Sequence, residues 1–64
     1  MDIYWQNGFK NRREYLEYIA DEYGIDTDIV ISFSSILGEE EDFGYLLSVL
    51  NDYAEYIEIQ KYFS

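Results

Sequence analysis

Phe43, Leu46, Leu47, Leu50, Tyr53, Ala54 and Ile57 recur at the spacing of one face of an α-helix, and no other part of the chain carries so long an apolar stripe. The stretch Asp42 to Tyr62 is therefore the element on which the shorter segments must pack. Its remaining faces carry Asp52, Glu55 and Glu58. An apolar stripe backed by carboxylates recurs along the rest of the sequence.

Before that stripe lie two shorter helical patterns. Asn11 and Glu14 have the spacing of a capping box. Tyr15, Leu16, Ile19, Ala20 and Tyr23 then form one apolar face, and Gly24 suits the left-handed residue that closes a helix. Arg12 and Arg13 sit poorly for the helix dipole in the first turn. Glu17, four residues after Arg13, offsets this through an ion pair. Asp26 caps a second helix whose face is Ile29, Val30, Phe33, Ile36 and Leu37, and Gly38 ends it. The β-branched run Ile29-Val30-Ile31 leaves a short buried strand as the alternative there.

The N-terminus is less regular. Ile3, Tyr4 and Trp5 suit a strand or a packed arm, Asn7-Gly8 signals a turn, and Trp5 and Phe9 are expected to cap the core. The end of the chain also alternates, with Ile57, Ile59, Lys61 and Phe63 on one side. The expected architecture is an all-α, compact three-helix domain, 1–64, with helices over 11–23, 26–37 and 42–62. A short two-stranded pairing of the termini is its variant.

Sixty-four residues make one small domain. A chain of this size buries only about 60% of its unfolded surface. With no cysteine and no histidine, neither disulfides nor thiolate or imidazole metal sites can reinforce it. No signal-peptide pattern opens the chain and no apolar run approaches the ~20 residues of a membrane span. These features point to a cytoplasmic protein.

Fourteen acids against four bases give a net charge of −10, yet aromatics make up 20% of the residues. Disordered acidic tails are poor in aromatics, so a folded acidic domain is expected. Such a charge disfavours anionic membranes and direct nucleic-acid binding, and favours basic protein surfaces. Nucleophilic triads need a base such as histidine, and paired-carboxylate chemistry needs a cleft, so no enzyme is expected. Asp26 and Asp28 open like a calcium loop but lack its Gly and closing Glu, so no metal or cofactor is expected either.

The acids themselves are ordered. Glu14, Glu17 and Asp21 lie on one side of the first helix, with Glu22 beside them. Asp52, Glu55 and Glu58 do the same on the last, and Glu39, Glu40, Glu41 and Asp42 join the two sets. Three residues of helix rise 4.5 Å, against ~3.4 Å between phosphates along one DNA strand. Rows of carboxylates at that scale can occupy a groove built for phosphates. Tyr18, Tyr45 and Tyr56 fall off the core stripes and are candidate anchors. Tyr45, Val49 and Tyr56 form a second stripe on the last helix, suited to a dimer seam or a partner surface. The candidate partner-binding set is thus Glu14, Glu17, Tyr18, Asp21, Glu22, Glu39, Glu40, Glu41, Asp42, Tyr45, Asp52, Glu55 and Tyr56.

A tiny, acidic, tyrosine-rich chain without cysteine or histidine resembles the inhibitors of bacterial defence encoded by phages and mobile elements, of the anti-CRISPR or anti-restriction DNA-mimic type. The segment Tyr15 to Asp52, YLEYIADEYGIDTDIVISFSSILGEEEDFGYLLSVLND, is similar to small proteins of Gram-positive phages and plasmids. The resemblance implies a stoichiometric inhibitor acting in a bacterial host cell. It would occupy the DNA-binding or PAM-reading surface of a nuclease complex, a basic nucleic-acid-binding partner. The other reading is a helical adaptor or regulatory protein that homo-oligomerises or binds a partner through its tyrosine stripe.

Overall fold

A computed structural model describes residues 2–63. Four α-helices follow one another: α1 (Ile3–Gln6), α2 (Arg12–Tyr23), α3 (Thr27–Leu37) and α4 (Tyr45–Phe63), with a 3-10 turn at Glu39–Glu41 between the last two. The described residues contain no strand. The fold is all-α. Both segments that alternation suggested for a terminal pairing are helical, so that pairing does not form.

Capping explains where α2 and α3 begin and end. Asn11 Oδ1 accepts the Glu14 amide at 2.9 Å. The return bond of the capping box goes one residue further back, from the Lys10 amide to Glu14 Oε1 at 3.4 Å. Gly24 takes φ 66°, and its amide bonds carbonyls of the last turn. A β-carbon at that φ would be strained, which is the reason for glycine there. Asp26 Oδ1 accepts the Asp28 amide at 3.0 Å to start α3, and the Ile29-Val30-Ile31 run stays helical between its caps.

The N-terminal segment corrects the sequence expectation. Asp2 caps a single helical turn through the Tyr4 amide at 2.9 Å. Such a turn is unstable alone. It is held because Tyr4 is buried and its carbonyl accepts the Phe9 amide at 2.8 Å. Trp5, expected on the core, is 65% exposed. Tyr4 takes that place, and Phe9 does pack against the core.

Tyr4, Tyr15, Leu16, Ile19, Ala20, Ile25, Val30, Leu46 and Leu50 form the core. Phe33 packs against it from α3, edge-on to Tyr53 at 5.5 Å between ring centres. At the α1 end the Tyr15 ring stacks on Phe43 at 4.2 Å, with Tyr4 tilted against both. α3 is rotated relative to its apolar stripe. Its most buried positions are Val30 and Ser34, whereas Ile36, expected inside, is 80% exposed. A serine one turn after Val30 faces inward because it meets the polar groups described below.

The last helix starts later than expected. Asp42 and Phe43 belong to the turn before it, Gly44 donates to the Glu41 carbonyl at 3.1 Å, and the helix runs from Tyr45. Its nineteen residues span about 28 Å at 1.5 Å per residue. The molecule measures 45 × 18 × 16 Å. Between Glu55 and Tyr62 every α4 residue except Ile57 is exposed. No helix of the described residues is long and apolar enough to cross a membrane.

Candidate interaction surface and the buried Asp42 cluster

Asp42 is 0% exposed. A carboxylate taken out of water must have its charge and lone pairs satisfied. Here three side chains converge to do so, and a fourth meets its backbone carbonyl. Arg12 donates from Nε to Oδ2 at 2.7 Å and from Nη2 to Oδ1 at 3.2 Å. The Ser34 hydroxyl donates to Oδ1 at 3.0 Å and the Tyr4 hydroxyl to Oδ2 at 2.6 Å. The Asp42 carbonyl accepts the Tyr15 hydroxyl at 2.7 Å. Arg12 Nη2 also reaches the Ser34 hydroxyl and its carbonyl, the latter at 3.1 Å. Among the described residues no buried side-chain polar atom lacks a partner.

This geometry shapes the acid–base behaviour of the donors. Burial, then the hydrogen bond to Asp42, pushes the Tyr4 phenol well above its ordinary value. Burial, then the Asp42 charge, pushes Tyr15 up to about 12. The hydrogen bond to Asp42 raises Arg12 further, against the opposing effect of burial. Tyr4, Tyr15 and Arg12 are thereby held in their protonated, donating forms. The cluster joins the start of α1, the start of α2, the middle of α3 and the turn before α4. Asp42 is accordingly removed from the partner-binding set: no macromolecule can reach it.

The other candidate residues divide by place. Glu39 and Glu40 are exposed and Glu41 is half-buried, in a 3-10 turn rather than a loose acidic run. Glu14 is half-buried at the start of α2. Glu17 is exposed and paired with Arg13 at 3.3 Å. Glu17, Asp21 and Asp26 line a shallow cleft at the α2–α3 corner. Glu22 from α2 joins Glu55 and Glu58 from α4 along a second groove, which Lys61 also lines. Asp52 is exposed on α4. Residues that lie over thirty positions apart in sequence thus meet on one acidic surface. No group of three or more carboxylates among the described residues has the arrangement of a metal site.

The three candidate tyrosines are each more than half exposed: Tyr18 at 51%, Tyr45 and Tyr56 at 57%. Tyr18 lies against Phe9 with ring centres 5.2 Å apart. Tyr45 and Tyr56, eleven residues apart, share one side of α4.

The Asp42 cluster had no periodic signature to give it away. Arg12 stood out only as a base set against the helix dipole, and Tyr4 as a residue in a strand-like triplet, while Ser34 carried no signal at all. Asp42 itself looked like an acid placed to favour a helix N-terminus. No family model matches the chain, and no curated protein or solved structure is significantly similar to it.

Proposed function

We propose that the protein is a binding inhibitor of a nucleic-acid-binding complex, of the anti-CRISPR or anti-restriction type, acting in the cytoplasm of a bacterial cell. Its exposed carboxylates compete with DNA or RNA for a basic groove. The observation that supports this reading most is the imbalance of exposed charge. Of the four bases, Arg12 is engaged by the buried Asp42 and Arg13 by Glu17. The Glu22–Glu55–Glu58 groove and the Glu17–Asp21–Asp26 cleft keep a strong acid excess. An ordinary soluble surface intersperses both signs.

The test is competition between the protein and DNA for a candidate nuclease, with each face neutralised in turn. Single changes at Glu17, Asp21, Asp52 or Glu55 should weaken binding modestly, as rim charges do. Reversal of Glu14, Glu17 and Asp21 together to Lys should abolish it while helix content persists. Binding should weaken steeply with added salt. Folded variants that still inhibit after neutralisation of both faces would rule the reading out.

A second reading has its own support. Tyr45, Tyr56, Ile59 and Tyr62 are large side chains left exposed along α4, which suits a helical adaptor that self-associates or binds a partner helix.

A further inference from the structure

α4 carries two seams. Leu46, Leu50, Tyr53 and Ile57 face the protein's own core. Tyr45, Val49, Asp52, Tyr56 and Ile59, one step round the helix, repeat at alternating intervals of four and three; Val49 is half-buried and the other four are exposed. Alternation of that kind is the a/d pattern of a coiled coil. Tyr45, Tyr56 and Ile59 are all more than half exposed, and Asp52 is exposed too.

We propose that this outward seam pairs with the same seam of a second copy, antiparallel, with the two-fold axis passing Ala54. A two-fold interface must suit itself residue by residue in both directions. In an antiparallel coiled coil an a position faces a d position. With the axis at Ala54, Val49 faces Ile59 of the second copy and Asp52 faces its Tyr56. The one charged seam residue thus meets a hydroxyl donor, the combination that the chain already uses between Tyr4 and Asp42 at 2.6 Å. A parallel arrangement would set Asp52 against Asp52, two like charges in one layer. An antiparallel shift by one heptad would set Val49 against Asp52. Only the register centred on Ala54 pairs apolar with apolar and carboxylate with hydroxyl.

Size and charge determine the strength. Each exposed tyrosine offers on the order of 100 Å², so the pair of seams falls below the ~1,200–2,000 Å² of stable interfaces. Glu55 lies beside Glu55 of the second copy near the axis, and each chain carries −10. The dimer is therefore weak at low salt, and salt strengthens it by screening. This response is opposite to that of the acid-competition reading, on which the dimer does not depend. It gives the second reading an occupant.

The experiment is sedimentation equilibrium on the intact chain from about 10 µM to about 1 mM, at about 50 and about 500 mM salt. Monomer–dimer exchange that shifts toward dimer at the higher salt is expected. Tyr56→Glu should weaken it by about tenfold or more, with helical circular dichroism unchanged, and Asp52→Asn should tighten it. Orientation is read by cross-linking, which the absence of native cysteine makes clean. A mixture of Val49→Cys and Ile59→Cys chains should form a mixed disulfide dimer on oxidation, and neither chain should pair with itself. Monomer at every concentration, a larger assembly, or self-cross-linking of Ile59→Cys would each overturn the proposal.

Discussion

The two ends of the molecule treat their demanding side chains in opposite ways. At the α1 end the buried charge of Asp42 is met by Arg12, Ser34 and Tyr4, and nothing there is left wanting a partner. At the outer end of α4, Tyr56, Ile59 and Tyr62 are apolar or aromatic and more than half exposed. The first end is complete within the chain. The second leaves large apolar and aromatic side chains open to solvent.

Breaking the completed end should have the largest effect. A domain of this size has a stability of about 3–10 kcal/mol by the usual per-residue range. Asp42→Ala leaves Arg12 without its buried counter-ion and frees two hydroxyls in the interior. Removal of one partner of a buried ion pair costs about 3–5 kcal/mol, enough to unfold much of the population. Thermal melting followed by circular dichroism will read this as a midpoint lowered drastically or lost. A variant that melts like the parent would show that the four elements do not depend on the cluster.

Next comes the apolar part of the same core. Leu50 is 0% exposed, and Leu50→Ala should cost about 2–5 kcal/mol through lost transfer energy and an unfilled cavity. Urea denaturation should show a lower midpoint with little change in slope. Equal destabilisation by Tyr62→Ala, at the exposed end, would erase the distinction between the two regions. Tyr62 is 90% exposed, and surface changes of that kind stay within about 0.5 kcal/mol.

The phenols of the cluster sharpen the comparison through pH. Folding raises Tyr4 above its ordinary value and Tyr15 to about 12, from 10.0 for a free phenol. The unfolded chain therefore loses these protons first as pH rises. Their contribution is intact below pH 10 and declines as pH climbs through the interval up to the folded values. Alkaline unfolding should begin above about pH 10. Tyr4→Phe removes one titrating group and should flatten that decline. At neutral pH it should cost about 1–3 kcal/mol by taking a donor from the buried carboxylate. Stability unchanged between pH 9 and 12 would mean that these phenols are not held as described.

How far these regions could be read in advance follows from the kind of information that fixes each. α2 and α3 were legible because their limits are local. Asn11, Gly24, Asp26 and Gly38 announce a start or a stop within a turn of where it occurs. The seams of α4 were legible because periodicity is local too, and Tyr45 and Tyr56 proved exposed as their positions implied. The cluster was not, because its members are brought together from residues 4, 12, 34 and 42. A burial pattern based on apolarity assigned Trp5 and Ile36 to the interior and left Tyr4 and Ser34 unassigned. The polar contacts reversed both, since a buried carboxylate dictates which neighbours must turn inward.

The smallest predicted effect concerns two adjacent arginines. Arg12 and Arg13 both open α2, and both have a carboxylate partner. Arg12 holds a fully buried acid at 2.7 Å with its own side chain 32% exposed. Arg13 holds Glu17 at 3.3 Å with the two side chains 69% and 52% exposed. In solvent the attraction of such a pair is screened and is offset by the entropy of fixing two long side chains. Arg13→Ala should therefore cost only about 0.3–0.5 kcal/mol, the range for exposed pairs four apart on a helix. It also removes a cation from the first turn, where the helix dipole disfavours it, so the net change should be smaller still. Arg12→Ala should instead destabilise by several times as much, because it strands the Asp42 charge in the interior. Parallel melts of the two single variants and the double decide the matter. The double variant should match Arg12→Ala within a few tenths of a kcal/mol, since the two pairs share no partner. Comparable losses for the two single variants would mean that the fold draws as much from its surface ion pair as from its buried one, and the contrast between the regions would fail.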